Sequence, residues 1–370
     1  MNTPITLRNK LQLVLIITLC WMFFAAFSFI NNYYFVKDLV ALNKLSGNYP
    51  FWADFTGKLI LGLFGGVIGG YILVFKMRHM YRQRSFAFGI LNAGILFIVF
   101  YLSLAVAALF FMGFFYFLSQ DKVAHAATRS WQNVIVNLNA PSFFITLCST
   151  ALVVSFTQFM LQVNDKFGQG VLLKFITGKY YHPREEERIF MFLDLKSSTS
   201  IAEKIGSKNF FELLKETFNV ITEPIVSNQG EIYQYVGDEV VVSWPIEKGL
   251  ANNNCLMCFF HVEQLLKKRS DHFVKNFGVV PSFKAGLHVG EATVGEIGVI
   301  KKDIVFSGDV LNTTSRIQNE CNNHNVNILL SAQLLDRLPA DQQFVKHELG
   351  EILLKGKQEK IKLHSISLTD

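Results

Sequence analysis

Charge is scarce in this chain. Asp, Glu, Lys and Arg make up 17% of its 370 residues while 51% are hydrophobic, and the mean hydropathy is +0.29. Soluble domains carry about 25% charged residues, so a water-soluble enzyme along the whole length is excluded. Cysteine is also scarce: Cys20 and Cys148 fall inside apolar runs, and Cys255, Cys258 and Cys321 lie in the later part. That pattern makes no disulfide framework, and the Cys255-x-x-Cys258 pair lacks the second pair that a zinc ribbon needs. No small-residue cleavage site follows a short apolar core near the N-terminus, so the first apolar run is expected to be retained. The membrane half holds no haem or flavin box.

The apolar excess sits in the first half. Residues 11–30, 59–75, 87–118 and 142–162 are long runs with almost no charge, and each can cross a hydrocarbon core about 30 Å thick at about 1.5 Å per residue. Four transmembrane helices are expected, the third long enough to tilt or protrude. The connection 76–85 carries Lys76, Arg78, Arg82 and Arg84 and no acid, whereas 31–58 and 119–140 mix a few charges of both signs. The basic loop and both termini are therefore expected in the cytoplasm. The net charge of +6 is in part this topology signal and requires no nucleic-acid partner.

Three regions follow: a four-helix membrane domain over 1–163, a cytoplasmic linker over 164–188 broken at Pro183, and an α/β domain over 189–370. In the last, strand-like runs (189–195, 230–244, 282–289, 303–307, 326–330, 360–367) alternate with helical ones (199–227, 248–276, 309–323, 331–337). Two aspartates interrupt this pattern. Asp194 closes an apolar run and is followed by Ser197, Ser198 and Thr199 at a helix start, whose free N–H groups suit a phosphate. Asp238 follows Gly237 in a hairpin turn. A buried carboxylate is costly without a cation, and two on neighbouring strand ends make a hard-oxygen site for Mg²⁺ or Mn²⁺.

The ordered motifs Phe192-Leu193-Asp194-Leu195 with Thr199, Val236-Gly237-Asp238, Gly286-Leu287-His288-Val289-Gly290-Glu291 with Gly295, Gly308-Asp309 through Arg316, and Leu354-Lys355-Gly356-Lys357 resemble the class III nucleotidyl cyclases. The resemblance covers about 189–367. It implies a ferredoxin-like α/β catalytic domain and cyclisation of ATP to 3′,5′-cyclic AMP with release of pyrophosphate. It implies two divalent ions, Mg²⁺ or Mn²⁺, held by Asp194, Asp238 and the backbone carbonyl of Leu195. Arg316 matches the family's transition-state arginine, Asn312 one turn earlier orients the ribose, and Lys355 or Lys357 meets the triphosphate. The metal and Asn/Arg halves come from different subunits in that family, so a homodimer is implied. The base-reading positions depart from the pattern: Gln234 stands where adenylate cyclases carry Lys and guanylate cyclases Glu, and Val305 stands where an Asp or Thr is usual. Ser198 replaces a usual Phe. Guanylate or dual specificity is the alternative; a diguanylate cyclase is disfavoured by the missing Gly-Gly-Asp-Glu-Phe turn, and an inactive module by the intact catalytic positions. Asp309 is expected to cap its helix, His288 to be a packed polar residue, and Glu239 a solvated or paired one. The enzyme is expected in the inner membrane, with its catalytic domain in the cytoplasm.

Overall fold

The structure, a computed structural model, describes all residues except 1–3, 42–50, 78–84, 119–122, 168–170, 357–358 and 370. Arg78, Arg82 and Arg84 of the basic loop, and Lys357, lie outside the described residues. The chain divides into two compact units, one over Leu7–Leu172 and one over Leu173–Asp370 together with Met1–Thr6.

The first unit is helical: α1 (Pro4–Ala41), α2 (Phe51–Tyr71) continued by a π-helical turn (Ile72–Met77), α3 (Phe86–Leu118), α4 (Val123–Leu138) and α5 (Pro141–Phe167). Four stretches are long and apolar enough to cross a membrane: Lys10–Asp38, Asp54–Lys76, Phe86–Ser103 and Phe143–Asn164. Their large apolar side chains face outward, with Phe23 75%, Leu61 70% and Leu152 71% exposed, which is the inverse of a water-soluble bundle. Small residues let the backbones close up. A Cβ at Gly66 would stand 2.7 Å from Thr18 Cα, and one at Gly62 2.8 Å from Ala25 Cβ, so this Gly-xxx-Gly face of α2 seats α1. The sequence treats 119–140 as a mixed connection, yet it contains α4. His125, Arg129, Gln132 and Asn133 dilute its hydropathy, while Ala126, Ser130 and Val134 share one buried face.

The second unit begins with α6 (Val171–Ile176) and continues β1 (Arg184–Leu195), α7 (Ser198–Ile205), α8 (Ser207–Ser227), β2 (Glu231–Val236), β3 (Glu239–Pro245), α9 (Ile246–Leu250), α10 (Asn254–Lys268), α11 (Ser270–Phe277), β4 (Phe283–Ile297), β5 (Asp303–Ser307), α12 (Asp309–His324), β6 (Ile328–Ser331), α13 (Ala332–Leu335), β7 (Phe344–Ile352) and β8 (Ile361–Leu368). The sheet order is β2-β3-β1-β4-β6-β8-β7, with β5 on β4. Its first four strands, with the helices between them, form the expected ferredoxin-like βαββαβ core. Period-two alternation along β1 explains the layering. Ile189, Met191, Leu193 and Leu195 join the core with Val240, Val242, Trp244, Leu213 and Phe259, while Phe190 and Phe192 face Val310 and Phe306 on the other side.

Three differences from the sequence reading have local causes. Strand β1 starts at Arg184 rather than 189, because its charged first residues pair with Val294 and its neighbours on β4. The helical run 199–227 splits at Gly206, whose φ of +80° no helix accepts. Strand β7 went unread because Lys346, His347 and Glu348 leave its alternation polar on both faces.

Candidate active site

Asp194 is the penultimate residue of β1, with Glu239 of β3 opposite on one side and Lys284 of β4 on the other. Lys284 Nζ lies 3.1 Å from Asp194 Oδ2, and Gln318 Nε2 of α12 donates to the same oxygen at 3.2 Å. Lys284 also donates to Asn322 Oδ1 at 3.3 Å. Strands β2 and β3 turn through Gly237, at φ +62°, and Asp238, so Asp238 arrives beside Asp194 as the hairpin reading expects. Burial raises the Asp194 carboxyl above the usual range, with Lys284 opposing and Asp238 adding to it. Burial, then the charges of Asp194 and Asp238, push Glu239 up to about 7, against a smaller pull from Lys284. Three carboxylates crowd one strand end, with one ammonium among them.

That donor set fits Mg²⁺ or Mn²⁺. Among the described residues no group of three or more His, Cys, Asp or Glu is arranged as a metal cage. Magnesium requires none, since it keeps waters and takes one or two carboxylates plus substrate phosphates. Leu195 is buried, and its carbonyl is the one group it can offer. Beyond it the chain turns through Ser197 in the left-handed region, φ +55°, into α7. The helix leaves its first N–H groups without intrahelical acceptors, next to the exposed Ser197 and Thr199 and the half-buried Ser198.

The other candidates sit on different surfaces. Gln234 is exposed just after a register shift in β2, and Val305 is half-buried on β5 opposite Gly295. Their neighbours Tyr233 and Phe306 meet with ring centroids 4.9 Å apart, and Phe306 N donates to Tyr233 Oη at 3.2 Å, so Gln234 and Val305 lie on touching elements. Asn312 and Arg316 lie one turn apart on α12, the first exposed and the second half-buried. A Cβ at Gly356 would meet Arg316 Nη2 at 3.3 Å, which puts the guanidinium beside the loop carrying the exposed Lys355. Gln318, which touches Asp194, is two residues on from Arg316, about 200° around the helix. Within one chain Arg316 therefore points away from the aspartates. Helix α12 cannot shift to change this: a Cβ at Gly286 would lie 2.3 Å from Gln318 N, so helix and strand are in backbone contact. A groove of about 540 Å³ lined by Phe259, Glu263, Asn327 and Ser365 lies elsewhere on the unit and holds none of these residues.

Sequence reasoning overlooked Lys284 and Gln318 and took Glu239 as solvated or paired. The signal was present: a lysine inside an apolar strand asks for a carboxylate, just as Asp194 asks for a cation. Asp309 is the first residue of α12, not its cap; Gly308 occupies the cap, and Asp309 Oδ2 accepts from Thr313 Oγ1 at 3.1 Å. His288 is packed and polar as expected, its Nδ1 2.8 Å from Ser331 Oγ.

The family model for the adenylate and guanylate cyclase catalytic domain matches residues 180–367. The chain is 36% identical over 209 residues to Adenylate cyclase 2 of Rhizobium meliloti (strain 1021), covering 56% of this chain and 58% of that protein. It is 25% identical over 236 residues to an adenylate cyclase of Anabaena cylindrica, covering 59% of this chain and 46% of that one. The chain thus spans about half the length of these relatives. A solved bacterial light-regulated adenylyl cyclase superposes with a TM-score of 0.51 at 21% identity, over 58% of this chain and 63% of that one, a likeness of fold. Through the unit that begins after α5, this chain belongs to the adenylate and guanylate cyclase catalytic domain family.

Proposed function

We propose that the protein is a membrane-anchored adenylate cyclase whose active site forms between two copies of the chain. The observation that carries the reading is the opposed placement of the two half-sites. Asp194 and Asp238 converge at one strand end, while Asn312 and Arg316 present a separate face of α12, turned away from them. A second, symmetric copy supplies the missing half to each. Residues 1–163 then serve as anchor, 164–188 as cytoplasmic linker and 189–370 as catalytic domain, on the inner face of the inner membrane.

In this reading the ribose 3′-oxygen attacks the α-phosphorus in line, the bond from that phosphorus to the bridging oxygen breaks, and pyrophosphate leaves as the 3′-hydroxyl gives up its proton to water. Divalent ions, when bound, neutralise phosphate charge and acidify that hydroxyl. Asp194 and Asp238 hold them, with the carbonyl of Leu195. The N–H groups after Ser197, with Ser198 and Thr199, cradle phosphate. Asn312 orients the ribose, Arg316 meets charge growing on the α-phosphate, and Lys355 or Lys357 the terminal phosphates. ATP is favoured by the adenylate cyclases among the relatives and by the absence of the guanine-reading Glu. GTP is the second reading, because Gln234 can donate or accept and Val305 does neither.

The test is the full chain in nanodiscs with Mn²⁺ and ATP or GTP, the product identified by mass. Cyclic AMP at the higher kcat/KM is expected, and a higher kcat/KM for GTP overturns the adenylate assignment. Mixing inactive Asp194→Asn chains with inactive Arg316→Ala chains should restore turnover. No recovery in a mixture shown to exchange subunits places the site within one chain.

A further inference from the structure

Two amides in the first unit lack the partners that burial demands. Gln158 of α5 is 2% exposed, and its Oε1 is buried without a hydrogen-bond donor, while Gln162 Nε2, one turn further along, is buried without an acceptor. On either side of Gln158 along the same helix face, Val154 and Leu161 join Ile17, Leu73, Val74, Ala93 and Phe97 in one apolar cluster. The face that carries the amide is thus packed in hydrocarbon. An unpaired amide there is costly, and a methionine fills the same length without the cost, so packing alone does not call for glutamine.

The surroundings narrow what can answer the two amides. The hydroxyl beside Gln158 is already spent: Thr157 Oγ1 donates to Val153 O at 2.7 Å and accepts from Trp21 Nε1 at 3.1 Å. Thr18 of α1 likewise returns its proton to its own helix, at Val14 O, 2.8 Å away. Against α3 the seam is tight. A Cβ at Gly89 would stand 2.6 Å from Gln162 Nε2, and one at Gly94 2.8 Å from Ser155 Oγ, so no ring or branched head group fits between the two helices there. Leu73 and Val74, in the same apolar cluster, belong to the π-helical turn that continues α2, a wide turn of the kind that recurs at functional sites. Two irregularities, the unpaired amides and the π turn, therefore meet on one cluster.

We propose that Gln158 and Gln162 form an intramembrane binding site for one neutral hydroxyl, supplied by water or by a lipid-soluble alcohol. The hydroxyl oxygen accepts from Gln162 Nε2 while its hydrogen goes to Gln158 Oε1, which satisfies both orphans at once. Side chains four apart on a helix have Cβ atoms about 5–6 Å apart, a gap that one oxygen making two bonds of about 2.8 Å spans. The ligand is uncharged, because α5 carries no Asp, Glu, Lys or Arg from Ser155 to Gln162 to balance an ion. The proposal rests on the reading of these helices as a membrane anchor, since in lipid the amides cannot turn outward to water. An occupied site fixes the packing of α5, the last helix of this unit.

The experiment is solid-state NMR of the full chain in liposomes of phosphatidylcholine, a lipid without hydroxyl groups. Glutamine side chains are labelled, and Gln158 and Gln162 are assigned with Gln158→Met and Gln162→Met. Magnetisation transferred from water is compared at these amides, at the exposed Gln264 of α10 and at the outward-facing Phe23 ring. With water as the ligand, transfer to both amides should exceed that to Phe23 severalfold and approach that to Gln264, and Gln162→Met should lower transfer to Gln158 severalfold. Amides that are dry in phosphatidylcholine, but gain transfer from dodecanol and a shifted Gln158 carbonyl resonance when dodecanol is added, assign the hydroxyl to a lipid-soluble alcohol. Amides that stay dry in both media overturn the proposal. So does a correlation across a direct hydrogen bond between the two side chains. Water transfer at Phe23 equal to that at Gln264 means instead that the anchor reading has failed.

Discussion

Strand β1 carries a charge near each end, and the two ends treat it in opposite ways. Arg188, 2% exposed, is held at both terminal nitrogens: Nη1 donates to Glu186 at 3.0 Å, Nη2 to Glu231 at 2.9 Å and to Ser243 at 3.0 Å, and the guanidinium lies over the Phe306 ring at 4.9 Å, while its buried Nε finds no acceptor. Burial works to raise the carboxyl of Glu231, and the charges of Lys174 and Arg188 outweigh it, so the net shift is downward. Glu186 is lowered in the same way, burial being outweighed by bonds from Tyr180, Arg188 and Lys179. At the other end Lys284 faces Asp194 and Glu239, Asp238 adds further negative charge, and both shifted carboxyls move upward. One end is a finished ion network that holds structure. The other has surplus negative charge that a bound cation or a proton on Glu239 would relieve, which is what separates a site from a brace.

The largest effect should come from the unresolved end. Asp194→Asn or Asp238→Asn removes a carboxylate proposed to hold the metal and should lower kcat about a thousandfold, several kcal/mol at the transition state. The same substitution relieves like-charge crowding, so thermal stability should hold or rise. A variant that keeps more than about a tenth of wild-type turnover would remove Asp194 from the metal site.

The braced end should show the reverse pattern. Arg188→Met leaves two carboxylates without their buried partner and should cost about 3 kcal/mol of stability. For a unit of this size that is a melting shift of about 6–12 °C. Turnover per folded molecule, measured well below the transition, should change little. Unaltered melting with lost activity would make Arg188 part of the chemistry and erase the contrast.

Most of this was legible before any coordinates. Four apolar helices, the βαββαβ order and the pairing of Asp194 with Asp238 follow from local patterns: long uncharged runs, period-two alternation and a Gly-Asp hairpin; Asn312 and Arg316 stood out only through the resemblance to the cyclase motifs. What the sequence concealed depends on neighbours distant along the chain. Lys284 reaches Asp194 across 90 positions, and Gln318 across 124, through a sheet order that periodicity does not specify. Helix α4 was hidden because its polar residues read as a loop until one face was packed. The Arg188 network was hidden because Glu186 and Glu231 look like solvated strand residues until β1 and β3 are paired.

A middle-sized effect concerns pH. Glu239 titrates near 7 in the folded protein against an ordinary 4.5, so between those values the native state holds the extra proton. Its contribution to stability therefore declines as pH rises from about 4.5 through 7. Because the side chain is only half-buried, solvent screening reduces the effect to about 1 kcal/mol. Melting followed from pH 5 to 8 should fall in the wild type and flatten in Glu239→Gln. Mg²⁺ should flatten it too by stabilising the charged form. A wild-type profile that falls no more than that of Glu239→Gln over this range would mean that the carboxylate end is already neutralised.

The smallest effect tests how far the brace extends into the entry segment. Lys174 of α6 reaches Glu231 at 3.1 Å, and Lys179 reaches Glu186 at 3.2 Å, so both acids that hold Arg188 also hold residues preceding β1. Tyr180, 1% exposed, joins them by donating to Glu186 at 2.9 Å. Lys174 is partly exposed and Glu231 keeps Arg188 after its removal, so Lys174→Met should cost only about 0.5–1 kcal/mol. The informative quantity is where that loss is felt. If the entry segment is part of the brace, amide exchange should quicken at Val171–Ile176 and along β2 together, and a Lys174→Met, Glu231→Gln cycle should show coupling of about 0.5 kcal/mol or more. Exchange that quickens in α6 alone, with additive single costs, would end the brace at Arg188 and leave α6 an ornament on the surface of the sheet.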